Sequence, residues 1–117
     1  MKKILALVLV TFFISGQAFS FIVLDSNRKT VTTAGTAEAL GLSTSQYDNL
    51  TICAETNNTG VITVGNASVV GAEATRKGVP LSAGDCYTIK DSKGSLADIY
   101  LDTTVNGDGV TYTSYTL

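Results

Sequence analysis

The sequence predicts an all-β domain, a small antiparallel β-sandwich or jelly roll of about seven to eight strands, preceded by an apolar N-terminal helix that is a signal peptide or an anchor. Three observations carry this. Short runs rich in Val, Ile, Thr and Tyr recur along the chain, turn residues interrupt them about every ten positions, and no segment sustains the apolar period of a long helix. The composition agrees: 117 residues, 44% hydrophobic, 15% charged, 11 Gly and one Pro. This is the make-up of one globular domain with one core, neither disordered nor collagenous nor a helical repeat.

Residues 1–20 have the three parts of a secretory signal: Lys2 and Lys3, an apolar run from Ile4 to Ile14, and a short stretch from Ser15 to Ser20. Small side chains at Ala18 and Ser20 suit a cut between Ser20 and Phe21, dividing the chain into a signal (1–20) and a domain (21–117). An uncleaved membrane anchor is the competing reading. The run from Ile4 to Ile14 spans only about 16 Å as a helix, roughly half a bilayer core, whereas a helix from Ile4 through Leu24 would just suffice.

Within the domain the expected strands are Phe21–Leu24, Lys29–Thr33, Leu50–Glu55, Val61–Val64, Cys86–Lys90, Ile99–Asp102 and Val110–Tyr115. The period is two in several of them. Tyr87 and Ile89 fall on one face with Cys86 and Thr88 on the other, and Val110 and Tyr112 alternate with Thr111 and Thr113. Between strands lie residues that tolerate positive φ, in Asn57-Asn58-Thr59-Gly60, Gly65-Asn66, Ser82-Ala83-Gly84-Asp85, Asp91-Ser92-Lys93-Gly94 and Asn106-Gly107-Asp108-Gly109. Thr36-Ala37-Glu38-Ala39-Leu40-Gly41 departs from the pattern. Six residues are too few for a helix that stands alone, so a loop or a short turn packed on the sheet is expected there. Pro80 belongs at a strand start or edge, where its missing N–H costs no ladder bond.

Cys53 and Cys86 are the only cysteines, an even count in a small chain with an export signal, and both fall in expected strands. A disulfide between them is the favoured reading and two buried thiols the alternative. Two thiolates without a His cannot complete a zinc shell, and no metal or other cofactor is expected. Net charge is −2 for the whole chain. Six basic residues remain beyond the signal (Arg28, Lys29, Arg76, Lys77, Lys90, Lys93), scattered among ten carboxylates. Nucleic acid calls for clustered Lys and Arg, so it is not an expected partner.

Catalytic chemistry finds little support. The chain has no His, which removes His-based triads. Ser26-Asn27-Arg28-Lys29 has the Ser-x-x-Lys spacing of some acyl transferases, but that chemistry needs a helix to set the Lys beside the Ser. Asp102-Thr103-Thr104-Val105-Asn106-Gly107-Asp108-Gly109 holds the ingredients of a calcium loop without its regular spacing or closing Glu, and reads as a tight turn. No catalytic residue, small-molecule substrate or membrane contact beyond the N-terminal segment is expected. Tyr47, Tyr100, Tyr112 and Tyr115 remain as possible partner contacts, set against the plainer reading that their rings pack in the core.

Several motifs follow one another in order: Thr33-Ala34-Gly35-Thr36-Ala37, Thr59 to Val69, Gly78-Val79-Pro80-Leu81-Ser82-Ala83-Gly84-Asp85, Leu96-Ala97-Asp98-Ile99-Tyr100-Leu101-Asp102, and Val105 to Tyr112. Together they resemble a family of small bacteriophage structural proteins, in which a Val-Gly-Asn/Asp-x-x-Val hairpin precedes Gly-x-x-Leu-x-x-Gly-Asp/Glu and a Leu-x-x-Ile-Tyr strand. The likeness runs from about Val31 to Leu117. It implies a non-enzymatic β-sandwich on a virion, as a minor capsid, decoration, spike or tail-associated subunit held by protein neighbours or by self-association. Members of that kind need no export signal, so the N-terminal segment and the cysteine pair are departures. They keep open a second expectation: an exported binding module, adhesin-like, at the periplasm or cell surface.

Overall fold

Alternating side chains demand two surfaces, one buried and one wet, and the chain meets that demand with two antiparallel sheets of four strands each. The structure is a computed structural model and describes residues 22–90 and 93–116. The expected signal (1–20), the Ser20/Phe21 cut and the start of the Asp91 turn lie outside the described residues. One sheet orders β1 (Ile22–Thr30), β8 (Gly109–Thr116), β3 (Asn49–Ala54) and β6 (Cys86–Ile89). The other orders β2 (Glu38–Ala39), β7 (Tyr100–Thr103), β4 (Ile62–Gly65) and β5 (Val79–Leu81). Short 3-10 turns at Glu73–Thr75 and Leu96–Asp98 complete the described elements.

A single core lies between the sheets. Leu50, Ile52 and Ala54 of β3 and Val110 and Tyr112 of β8 meet Ile62 and Val64 of β4, Leu81 of β5 and Leu101 of β7. Each fully buried aliphatic side chain contributes roughly 1.5–3 kcal/mol relative to exposure. The period-two reading therefore holds for β3, β6 and β8, whose alternate residues Thr51, Cys53, Cys86, Thr88, Thr111 and Thr113 face away from the core.

Three features differ from the sequence reading. The expected strands at 21–24 and Lys29–Thr33 are not separate, because Ile22–Thr30 runs as one strand along β8, with a bulge between Val23 and Asp25. Ile22 pairs with Thr116 and Val23 with Tyr115, and the anchor helix expected from Ile4 falls almost wholly outside the described residues. Glu38–Ala39 pairs with Leu101 and Tyr100 as a two-residue strand rather than a loop or helical turn. Val79–Leu81 is a further strand, absent from the expected ones. It sits at a sheet edge, the position expected for Pro80, where a missing N–H is tolerated.

The cysteines form a disulfide, as the even count suggests. Cys53 and Cys86 lie directly opposite each other on β3 and β6, bonded sulfur to sulfur across adjacent strands. With a sequence separation of 33 the bridge contributes about 4 kcal/mol on the chain-entropy model.

On the β4–β7 sheet the face turned away from the core is also buried. Thr63 and Asp102 are opposite each other on that face, yet they are 0% and 1% exposed. The segment from Val69 to Gly78 roofs them: Gly71 lies against the backbone of Asp102 and Thr103, and Gly78 against Val64 and Thr63. Thr63 Oγ1 has no hydrogen-bond partner among the described residues. Thr63→Val, which swaps that hydroxyl for a methyl of the same shape, is expected to leave stability unchanged or raise it by about 1 kcal/mol, read as a higher urea midpoint at unchanged slope.

Candidate interaction surface

The loops at one end of the sandwich are tied to the sheets by side-chain acceptors rather than by ladder bonds. Asp102 is the centre of this arrangement. Its carboxylate accepts the backbone N–H of Gly35 at 2.8 Å, of Gly71 at 2.7 Å and of Thr103 at 2.8 Å, joining three separate stretches of chain. Gly71 is required for the approach, since a Cβ there would stand 3.0 Å from the Thr103 nitrogen and 3.1 Å from the Asp102 carbonyl carbon. Asp108 repeats the device, taking the N–H of Thr59 at 3.1 Å and of Gly60 at 2.7 Å. Asn58 and Gly109 exchange two bonds of 2.8 and 2.9 Å, and Asn106 Oδ1 accepts the Ala34 N–H at 2.6 Å.

The 102–109 stretch is therefore a turn whose carboxylates are spent on backbone amides. Among the described residues no group of three or more His, Cys, Asp or Glu is arranged to hold a metal ion.

Glu38 is the third clamp, and the sequence reading missed it. The two-residue pairing of β2 with β7 brings its carboxylate over the chain leaving β1, where it accepts the N–H groups of Thr32 at 2.8 Å and Thr33 at 3.1 Å and the Lys29 ammonium at 3.1 Å. Burial works to raise its pKa, but the hydrogen bonds from Thr33, Lys29 and Thr32 outweigh it and hold the carboxyl below the usual 4.5. A depressed folded-state pKa stabilises above the unfolded value, and the contribution disappears as pH falls through the folded value. Glu38→Gln is thus expected to lose about 1–2 kcal/mol at pH 7. Urea midpoints of variant and wild type, measured from neutral to strongly acidic pH, should converge at the acid end.

Of the four tyrosines expected as possible contacts, two are corrected by their burial. Tyr47 is 1% and Tyr112 6% exposed, both within the core cluster, so their rings fill space between the sheets and offer a partner no surface. Burial raises both phenol pKa values, with the charge of Asp98 adding to it for Tyr47 and that of Asp25 for Tyr112. Tyr100 and Tyr115 are half-buried, on different sheets. The structure does not bring the four together.

The outer face of the β1–β8–β3–β6 sheet is laid out in rows. Ser26, Thr113, Thr51 and Thr88 are consecutive cross-strand neighbours, with hydroxyl contacts of 3.1 Å between Ser26 and Thr113 and 3.2 Å between Thr51 and Thr88. The adjacent row is Arg28, Thr111, Cys53 and Cys86. Arg28 also binds Glu55 with two nitrogens, at 2.5 and 2.9 Å, beside an open groove that Cys53, Asn57 and Thr111 help to line. Ser26 and Lys29 project to opposite faces of β1, which disposes of the Ser-x-x-Lys match.

Strand β1 is the long edge. It is nine residues, pairs only with β8 among the described residues, and begins with Ile22, Val23 and Leu24 at 61%, 50% and 42% exposure. Part of this edge is blunted, because Asn27 Oδ1 accepts the Arg28 N–H at 2.8 Å. The other edges are shorter: β2 has two residues, β5 three with Pro80 among them, and β6 four. A long edge strand with exposed apolar side chains is a template for pairing with another chain. Compared with known proteins, the chain matches no family model, no curated protein and no solved structure.

Proposed function

We propose that this protein works by contact rather than catalysis, as a structural subunit of a bacteriophage virion, either a minor capsid or decoration protein or a spike component. The observation that carries the reading is the apolar start of β1: three consecutive exposed apolar residues on an open strand edge call for a protein neighbour. The buried carboxylates lend support, since Asp102 and Asp108 hold backbone amides and so serve rigidity. The motifs behind the phage resemblance also do folding work. Val69 folds back on Gly65, Leu81 enters the core, and Asp85 accepts the Ser82 N–H at 3.1 Å across the turn that carries Gly84.

Mass spectrometry of purified particles tests this. The reading expects the chain at a fixed copy number per virion, with an N-terminus at Phe21 if the signal is removed; absence from particles overturns it. The exported binding module is the second reading, favoured by the N-terminal segment, and it expects the chain in the periplasm or at the cell surface and not in particles.

A further inference from the structure

We propose that Cys86 is the sulfur through which an external thiol enters this protein, so that reduction of the Cys53–Cys86 bridge proceeds by way of a mixed disulfide on Cys86 and expulsion of the Cys53 thiolate. The inference is independent of the virion reading and rests on where the bridge lies in its sheet. Both sulfurs project from the outer face, in the row Arg28, Thr111, Cys53, Cys86. Cys86 is exposed and Cys53 half-buried.

Thiol–disulfide exchange is a displacement at sulfur, and its rate depends on which sulfur an attacking thiolate can reach. The attacker approaches along the S–S axis from the side opposite the leaving sulfur. Cys53 lies on an inner strand of the sheet, and Thr111 of β8, its direct cross-strand neighbour about 5 Å away at Cβ, crowds the side of Cys53 turned away from Cys86. The groove beside Arg28, which Cys53 and Thr111 both help to line, is the rival route and would lead a thiol to Cys53 instead. Cys86 is exposed on β6, which among the described residues has no strand on its other side.

In the first step the thiolate forms a bond to Cys86 Sγ, the Sγ–Sγ bond breaks, and its electron pair leaves on Cys53 Sγ, which takes a proton from water. A second thiolate then attacks the external sulfur of the adduct and releases Cys86. Two external thiols are oxidised to a disulfide while one protein disulfide is reduced. The co-reactant is a small soluble thiol. The consequence falls on β6, which is then held to β3 by its ladder, by the Thr51–Thr88 hydroxyl contact and by the half-buried Tyr87 and Ile89.

The test treats the oxidised full chain with reduced glutathione in native buffer, traps the expelled thiol at short times with excess N-ethylmaleimide, and maps both labels by peptide mass spectrometry. Glutathione on Cys86 with maleimide on Cys53 is expected in about tenfold excess over the reverse pattern. In concentrated guanidinium chloride, where neither sulfur has a strand beside it, the two patterns should approach parity. Equal or reversed labelling in native buffer, no adduct until denaturant is added, or a Cys86 preference that persists in denaturant would each overturn the proposal.

Discussion

Asp102→Ala is expected to destabilise the domain by about 4 kcal/mol, a large part of the 5–14 kcal/mol that a chain of this size has in total. The carboxylate is 1% exposed and is the acceptor for three backbone N–H groups. Its removal leaves those donors facing a hole too enclosed for water to satisfy each of them. A hydrogen bond to a charged acceptor is worth roughly 1.5–3 kcal/mol, and a buried donor left without one costs about 1–3 kcal/mol. Asp102→Asn separates geometry from charge, because it keeps one carbonyl oxygen and turns the other acceptor into a donor pointed at donors. It should lose about half as much. Urea melts followed by far-UV circular dichroism give both values, and an Ala variant within 1 kcal/mol of wild type would show that the loops are held by something else.

The role of Asp102 marks where reading the sequence stops. Alternation alone located most of the sheet residues, since β3, β4, β6, β7 and β8 follow from β-branched and aromatic residues spaced by two between Gly and Asn turns. Asp102 was visible as a carboxylate near a Gly-rich turn, and such a group is equally an ion ligand or a clamp. Its donors became assigned only when β7 placed it beneath the Val69–Gly78 segment, more than 20 residues away in the chain. Glu38 was hidden by the opposite problem. Thr-Ala-Glu-Ala-Leu-Gly has helical propensity, but two ladder positions on β7 and a carboxylate that binds three neighbours outweigh the few tenths of a kcal/mol per residue that propensity supplies. The tyrosines divide for a similar reason. Tyr112 alternates correctly on β8 and so could be placed inward, whereas Tyr47 lies in a loop and reaches the core through its single bridge to Gly94.

The two edges of the β1–β8–β3–β6 sheet have different protection. β6 is short and chemically stapled to β3, while β1 is long, is capped locally by Asn27, and has its apolar residues gathered at the end where that cap does not reach. The clamps act at the far end of β1 from those apolar residues: Glu38 holds the chain as it leaves β1, and Asp102 and Asp108 hold the loops beside that end.

Gly78→Ala is expected to cost about 4 kcal/mol, although it adds one methyl group at an exposed position. Two effects combine. Gly78 has φ of +125°, a conformation that L side chains rarely adopt and that costs of order 1–3 kcal/mol to impose on one. A Cβ there would also stand 2.5 Å from the carbonyl oxygen of Val64 and 2.8 Å from Thr63 Cγ2. The oxygen is backbone within β4, so relief requires β5 to move away from β4 or the roof over Asp102 to lift. Gly35→Ala provides the control. Gly35 has φ of +88° with nothing within 4 Å of the added carbon, so it bears the backbone term without the overlap and should lose only about 1 kcal/mol. If the two variants unfold at the same urea concentration, the contact between Gly78 and β4 is not what fixes the roof, and the burial of Thr63 and Asp102 must be maintained from the Gly71 side alone.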